Sequence, residues 1–302
     1  MSKKLLLTGV LCMAGTMSSV ACESRRGATP AQATTAAPWQ LERFPVFIDG
    51  FDSPECVAVD EKRDLVYVSN IQTKTGGYWE KDEKGFISLM EAEGMLKKLR
   101  WKDSTEENPL SAPKGICVCE GLLYVADIDH VMTYDLAGGA VRTIEIPGAK
   151  MLNDAVAHKG FAYVSDTQTG KIWKLGLPMS EVKGPPSANG LAFDADGRMY
   201  CVSYEAHEIY QVDPNGVDEP RPLGLAGHFA GLDGLEILAD GTMIVSDQKL
   251  NRIFSVSADH KSVQSLAEID APADIGLDRK RNLLYVPMLY KGRVAIYKLH
   301  RR

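Results

Sequence analysis

A pattern of short apolar segments separated by tight turns recurs along most of the chain. Each copy pairs two segments rich in β-branched and aromatic residues, and the second segment of most copies ends on Tyr-Val-Ser-Asp or a close variant. Segments of this kind, bounded by Asp, Asn and Gly, are typical of β-strands joined as hairpins. The six copies read SPECVAVDEKRDLVYVSN, APKGICVCEGLLYVAD, MLNDAVAHKGFAYVSD, SANGLAFDADGRMYCVS, GLDGLEILADGTMIVSD and APADIGLDRKRNLLYVPM.

Aligning the copies places one residue of each in a shared column near the start of the first strand. Successive members of this column are 59, 39, 36, 44 and 40 residues apart, which is the length of a propeller blade. We therefore predict an all-β fold, a six-bladed β-propeller with four-stranded blades. The column consists of Glu55, Lys114, Asn153, Asn189, Asp233 and Ala273.

The two ends of the repeat predict how the ring closes. The last copy runs out near Leu299 after three strands, so we predict that segment 43–48 supplies the fourth strand of the last blade. Segments 194–197 and 239–241 contain Asp-Gly, which tolerates the positive φ of tight hairpins.

One segment departs from the strand pattern. Residues Leu89 to Leu99 are good helix formers apart from Gly94. They predict a helix inserted in blade one, and such an insertion would explain the 59-residue spacing.

The N-terminus predicts export. Residues 1–21 have a short basic start and an apolar run too short to span a bilayer, as in a signal peptide. Cleavage after Ala21 is one interpretation, and a lipoprotein with lipidated Cys22 is the other. Residues 22–40 are rich in Ala, Thr, Ser and Pro and predict a flexible linker before a propeller over 41–302. We expect a periplasmic protein or one lipid-anchored to the cell envelope.

Composition and charge limit the kinds of partner that are expected. The chain has 302 residues, a net charge of −6 and 45% hydrophobic residues, which is ordinary for a soluble globular protein. With no long basic cluster, no nucleic acid is expected as a partner. We expect a monomer that acts on a small molecule, with a lipid anchor as its one contact with a membrane.

The cysteines of the predicted propeller have no metal-ligand spacing. Two interpretations remain for them: buried apolar thiols, or a disulfide from Cys56 to a cysteine of a neighbouring blade. The sequence has no G-x-S-x-G nucleophile motif, no P-loop and no dinucleotide-binding motif.

The shared column predicts a metal site. In a propeller the first strand of each blade lines the central channel, so the column surrounds the channel mouth at one face, which we call the top. Two carboxylates that face each other in a narrow channel repel, and a divalent cation removes that penalty. Carboxylate and amide oxygens favour Ca²⁺, with Mg²⁺ as another candidate. The competing interpretation is that these residues only cap strand starts.

The column resembles the senescence-marker-protein/gluconolactonase/LRE-like family of six-bladed propellers, in which a Glu, two Asn and an Asp bind calcium. Diisopropyl fluorophosphatase and paraoxonase have a similar set, and the blade units alone resemble NHL repeats. The resemblance implies Glu55, Asn189 and Asp233 as metal ligands, with Asn153 as a further ligand or a substrate contact. It also implies Asp233 as general base or nucleophile.

The resulting hypothesis is a calcium-dependent hydrolase of a small lactone or ester. Lys114 would polarise the substrate or point to solvent, and His207 is a candidate substrate contact. His207, His130 and His228 are candidate proton shuttles, or exposed loop residues. Residues 72–85, with Tyr78 and Trp79, would form a lid or an ordinary surface insertion.

Two other functions fit the same sequence. One is a non-catalytic envelope propeller that binds a ligand or protein partner and holds a structural metal. The other is a lyase resembling strictosidine synthase. Fold alone does not decide among them.

Overall fold

The structure, a computed structural model, describes residues 38–74 and 77–301. Over these residues the chain forms 24 strands and one 3-10 turn. The predicted signal peptide, Cys22 and most of the predicted linker lie outside the described residues. Among the residues that are described, no helix is long and apolar enough to cross a membrane.

Six antiparallel sheets of four strands form the blades, and in five of them the strand order follows the chain. Blade one contains β2 (Pro54–Asp60), β3 (Leu65–Asn70), β4 (Phe86–Glu91) and β5 (Leu96–Asp103). Blade two contains β6 (Pro113–Cys119), β7 (Leu122–Asp127), β8 (His130–Asp135) and β9 (Val141–Glu145). Blade three contains β10 (Leu152–His158), β11 (Phe161–Asp166), β12 (Lys171–Leu175) and β13 (Ser180–Lys183).

The remaining blades repeat this plan. Blade four contains β14 (Ala188–Phe193), β15 (Met199–Ser203), β16 (Glu208–Val212) and β17 (Arg221–Pro222). Blade five contains β18 (Leu232–Ile237), β19 (Met243–Asp247), β20 (Arg252–Val256) and β21 (Val263–Glu268), preceded by the 3-10 turn Ala226–His228. Blade six contains β22 (Gly276–Asp278), β23 (Leu283–Met288), β24 (Arg293–Arg301) and β1 (Trp39–Asp49). The predicted six-bladed fold is confirmed.

The predicted closure of the ring is confirmed as well. β1 pairs antiparallel with β24 over nearly the whole length of both, from Trp39 opposite Arg301 to Asp49 opposite Arg293. At the channel, the backbone N–H of Asp274 donates to the carbonyl of Glu55 at 2.9 Å. Blade six is therefore joined to blade one at its inner edge, while its outer edge is completed by the N-terminal strand.

The hydrophobic core lies between neighbouring blades. Between blades four and five, Val202 and Ile209 pack with Leu235 and Val245, and all four are fully or almost fully buried. The inner strands of the sheets are therefore buried on both faces, which explains why they read as nearly continuous apolar runs. This packing fixes the position of each innermost strand beside the channel.

The predicted helix over Leu89–Leu99 is wrong. The segment is a hairpin in which β4 ends at Glu91, a turn includes Gly94, and β5 begins at Leu96. Gly94 has a φ of +94°, and a side chain there would meet Ile296 at 2.5 Å. Burial of the strand against the last blade overrides a weak helix propensity. The extra length of blade one lies in the two loops that flank this hairpin, residues 71–85 and 104–112.

Candidate functional site

The polar members of the column occupy equivalent places in five blades. Each is the second residue of the innermost strand, in β2, β6, β10, β14 and β18. Their side chains are only 4–7% exposed. Ala273, the sixth member, precedes β22 and is fully buried. Sequence alignment thus placed all six residues at one level of the channel.

The serine of the Tyr-Val-Ser-Asp motif holds the innermost strand in place. The Ser165 hydroxyl accepts a hydrogen bond from the N–H of Asp154 at 2.9 Å. Ser246 accepts from Gly234 N–H at 2.7 Å and donates to the carbonyl of Ala273, in the next blade, at 2.8 Å. The backbone beside the column is therefore fixed by buried side chains, as a preorganised site requires.

The acidic residue that ends the motif fixes the segment leading into the innermost strand. Asp127 accepts from the N–H groups of Ser111 and Ala112, both at 2.7 Å. Asp247 accepts from Ala230 N–H at 2.7 Å. A buried carboxylate that satisfies neighbouring backbone donors keeps the loop closed over the core.

Three column residues share one electric field. Burial raises the pKa of Glu55 to about 8, and the nearby charge of Lys114 opposes that rise. Burial also raises the pKa of Asp233 to about 6, and again Lys114 opposes it. The Glu55 and Asp233 charges repel each other, since each is held out of water in the same channel.

Asn189 connects this field to blade four. Its Nδ2 donates to Asp233 Oδ1 at 3.0 Å. Within the described part of the chain, Asn189 Oδ1 and Glu55 Oε2 are buried acceptors with no hydrogen-bond partner. Buried acceptors of this kind are costly, and they call for a ligand or an ion that satisfies them.

Asn153 is turned toward the neighbouring blade. Its Nδ2 donates to Thr167 Oγ1 at 2.9 Å, and Thr167 in turn donates to the carbonyl of Ala188 at 2.7 Å. Since the amide nitrogen is engaged there, the Asn153 side chain is held in one orientation. It links blade three to the start of β14.

Lys114 lies beneath aromatic residues of the long blade-one loop. Its Nζ is 4.3 Å from the Trp79 ring centre and 5.7 Å from that of Tyr78. Tyr78 also contacts Tyr290 edge to face, at a centroid distance of 6.2 Å. Burial lowers the pKa of Lys114, and the charges of Glu55 and Asp233 oppose that effect. The aromatic side chains of this loop therefore cover Lys114.

The candidate histidines lie in turns or at the start of a strand, and the contacts described for them are with residues outside the column. His207 is half-buried in the turn between β15 and β16, with a φ of +56°. His130 begins β8 rather than lying in a loop, and its Nδ1 is 3.2 Å from Asp129 Oδ1. His228 ends the 3-10 turn and contacts Phe229 edge to face. A role for any of them stays a prediction.

A second buried cluster, which sequence reasoning missed, lies one residue further along the innermost strands. Cys56, Asp154 and Asp274 bring their ligand-type atoms within 4.8 Å of one another. The carboxyl groups of Asp154 and Asp274 are hydrogen bonded to each other, and burial raises the pKa of both, that of Asp274 far above its ordinary value. We call these three residues the inner ring.

The alignment contained a signal for the inner ring. The position after the column is glycine in the other three blades: Gly115, Gly190 and Gly234. A side-chain carbon on Gly234 would come within 2.5 Å of the N atom of Ile275. The backbones approach so closely here that only glycine fits. The three larger side chains at the same level, those of the inner ring, depart from this glycine pattern and could have been found in the alignment.

Below the inner ring the channel widens into a cavity of about 690 Å³, which reaches the bottom turns. Its upper end is lined by the inner ring and its walls by apolar residues such as Leu191 and Leu235. His158 lines the lower part and stacks on Phe193 with ring centres 3.9 Å apart. The column residues do not line this cavity.

The four cysteines of the described residues are free and buried. Cys56 Sγ accepts a hydrogen bond from the backbone N–H of Ile116 at 3.4 Å. Burial raises the pKa of Cys56 well above its ordinary value. The interpretation as buried thiols is confirmed, and a disulfide at Cys56 is not formed.

The column has a donor set that fits a divalent cation. Glu55 Oε2 and Asn189 Oδ1 are hard oxygen acceptors that no described residue satisfies. Asp233 adds a second carboxylate, hydrogen bonded to Asn189. Oxygen ligands of this kind suit Ca²⁺, whereas the cysteines lie outside the column.

Comparison with known proteins establishes the fold. No family model matches the chain, and no curated protein is similar to it. A solved structure of a candidate gluconolactonase shares 17% identity with a TM-score of 0.64, over 88% of this chain and 95% of that one. A luciferin-regenerating enzyme shares 15% identity with a TM-score of 0.61, over 87% and 95%.

A third solved structure with a similar fold is a lyase. A catalytically inactive virginiamycin B lyase from Staphylococcus aureus, solved with quinupristin, shares 14% identity with a TM-score of 0.59, over 86% of this chain and 99% of that one. At these identities the likeness shows the six-bladed propeller fold, which hosts more than one chemistry.

Proposed function

We propose that the column at the channel mouth binds a divalent cation, Ca²⁺ in the first place, and that the protein is a hydrolase of small lactones or esters. The observation that carries the proposal is the pair of unsatisfied buried acceptors, Glu55 Oε2 and Asn189 Oδ1, beside the carboxylate of Asp233. Glu55, Asn153, Asn189 and Asp233 would hold the cation. The resemblance of the column and the fold of the candidate gluconolactonase support hydrolysis.

The bound cation would supply Lewis-acid stabilisation of the charge that develops on the substrate carbonyl oxygen. Asp233 acts as the general base or nucleophile. Its raised pKa, about 6, makes it a better proton acceptor than an ordinary carboxylate near neutral pH. The amide of Asn189 fixes the Asp233 carboxylate by donating to Oδ1.

Three further residues are proposed as substrate contacts. The Lys114 ammonium lies in the same field and presents positive charge to an ester or lactone oxygen. Asn153, oriented by Thr167, offers its amide oxygen. His207 would contact the part of the substrate that lies outside the mouth.

A direct test measures the hydrolysis of a panel of small lactones and aryl esters, with and without a chelator. Wild type is compared with Asp233→Asn, which keeps the shape of the side chain and removes its charge. We expect the chelator to abolish turnover, and the substitution to lower kcat by about 10³-fold. Equal rates across these four conditions would remove the hydrolase proposal.

A second candidate function is a non-catalytic propeller that binds a ligand or protein and holds a structural ion. The covering of Lys114 by Trp79 and Tyr78 favours it, because it limits access to the column. Calcium binding in a calorimetric titration, without turnover of any substrate on the panel, would support this candidate over the hydrolase.

We also propose that the protein is exported and held at the cell envelope through Cys22. Wild type and Cys22→Ala are expressed in a bacterium with lipoprotein processing, and the membrane and soluble fractions are compared. Lipid modification predicts that wild type is found in the membrane fraction and the variant in the soluble one. The same distribution for both would favour ordinary cleavage after Ala21.

A further inference from the structure

The column contains one basic side chain, Lys114. It is the second residue of β6, level with Glu55 and Asp233 in their own blades, and it is 4% exposed. Both carboxylates act on its charge, and it acts on theirs. A buried ammonium thus stands in the same field that a divalent cation would enter.

Aromatic rings, rather than a direct ion pair, hold this ammonium. Nζ is 4.3 Å from the centre of Trp79 and 5.7 Å from that of Tyr78, within the range of cation–π attraction. Across residues 38–74 and 77–301, no carboxylate oxygen lies within 4.0 Å of it. Glu55 Oε2 therefore stays without a partner although a cation is near.

We propose that Lys114 is a built-in counter-ion of the carboxylate pair and competes with the divalent cation for the mouth. When both carboxylates are ionised, as binding of a divalent cation requires, they repel each other strongly, and one ammonium offsets half of their charge. An entering cation gains less from a field that is already partly neutralised, and it is repelled by the ammonium itself. The inference rests on the proposed metal site and describes how that site is regulated.

The expected size follows from Coulomb's law. Two unit charges about 6 Å apart, at an effective dielectric constant of about 20, interact strongly enough to change a dissociation constant by about 100-fold. A divalent ion feels twice the repulsion, although movement of the lysine side chain relieves part of it. Removal of the Lys114 charge is thus expected to tighten Ca²⁺ binding by about 10- to 100-fold.

Calorimetric titration of Ca²⁺ into purified protein tests the competition. Lys114→Met removes the charge and keeps most of the stem, whereas Lys114→Arg keeps the charge and serves as the matched control. We expect Lys114→Met to bind at least 10-fold more tightly than wild type and Lys114→Arg to stay close to wild type. Equal or weaker binding by Lys114→Met would overturn the inference and leave the metal site standing.

Thermal unfolding in a chelator separates the counter-ion role from the metal site. Without metal, Lys114→Met is expected to unfold several degrees below wild type, because the carboxylates lose the ammonium that offsets part of their charge. Added Ca²⁺ is expected to remove this difference in unfolding temperature. If no variant binds Ca²⁺ but Lys114→Met is destabilised, the proposed metal site fails while the counter-ion role stands.

A second substitution keeps the test open if Lys114→Met does not fold. Trp79→Leu retains the lysine charge and removes the nearer ring. The ammonium is then no longer held in place within the column. We therefore expect Ca²⁺ to bind about 3- to 10-fold more tightly than to wild type. Unchanged binding would show that the ring does not fix the ammonium in the competing position, and would overturn the inference.

Discussion

The column and the inner ring are one residue apart on the same strands, yet they are built differently. In the column, Glu55 and Asn189 keep acceptors that no described residue satisfies, and Lys114 adds a charge. In the inner ring, Asp154 Oδ1 accepts from Ala155 N–H at 2.6 Å and Asp154 Oδ2 from Leu191 N–H at 2.5 Å.

The difference separates two uses of buried carboxyl groups. The inner-ring acids satisfy each other and the backbone, so they serve to join blades at the narrowest level of the channel. The column acids leave bonding capacity free, as a ligand site does. A cluster of acidic residues therefore points to a ligand only when its hydrogen bonds are incomplete.

The largest effect is expected at Asp154. Substitution to alanine leaves two buried N–H groups, those of Ala155 and Leu191, without acceptors. We expect the free energy of unfolding to fall by about 4 kcal/mol, measured by denaturant unfolding in a chelator. In the column, Asp233→Asn is expected to change it by less than about 1 kcal/mol, because removal of a repelling charge offsets the altered hydrogen bond. A loss of the same size at both positions would contradict the distinction between the two levels.

The next effect tests how tightly the strands approach at the inner ring. A side-chain carbon at Gly234 would lie 2.5 Å from Ile275 N and 2.6 Å from Asp274 Oδ1. The backbone would have to shift, so we expect Gly234→Ala to cost about 3 kcal/mol in unfolding free energy. Gly227→Ala, where nothing lies within 4 Å, is the control and is expected to be near neutral. A neutral Gly234→Ala would mean that the channel is not narrow at this level.

The fold was largely predictable because the six copies of the sequence repeat correspond to the six blades. Hairpin turns at Gly197 and Gly241 have the predicted positive φ, 82° and 84°, and the N-terminal strand closes the ring. The helix prediction around Gly94 is wrong because helix propensity takes no account of the neighbouring blade, which packs against this segment through Ile296.

The candidate site was only partly predictable. Alignment found every column residue, since equivalent positions in repeats meet on one axis. It could not show that Trp79 covers Lys114, because the path of an irregular loop depends on long-range contacts. Nor could it show that Asp154 and Asp274 are hydrogen bonded to each other, which depends on the distance between two blades.

Raising the pH is expected to destabilise the metal-free protein through Glu55. The folded pKa is about 8 and the ordinary value 4.5, so between these values the folded state keeps a proton that the unfolded chain releases. Stability therefore falls as the pH rises, by about 2 kcal/mol between pH 5 and 7. Denaturant unfolding at both pH values, in a chelator, measures this slope.

Glu55→Gln serves as the control for that slope. The inner-ring acids titrate in the same direction, so they contribute a part that remains in the variant. We expect the slope to become clearly shallower in Glu55→Gln. An unchanged slope would assign the pH dependence to groups other than Glu55, namely Asp233 and the inner-ring acids.

The smallest effect is expected at Cys56, where the inner ring is completed by a thiol. Serine at this position keeps a donor and an acceptor for Ile116 N–H and Asp274 but is smaller and more strongly hydrated. We expect Cys56→Ser to lower the unfolding free energy by about 1 kcal/mol and to leave Ca²⁺ affinity unchanged. Calorimetric titration and denaturant unfolding of the same preparation measure both quantities. A changed affinity would mean that the two levels are coupled, since a purely structural inner ring transmits nothing to the unsatisfied acceptors above it.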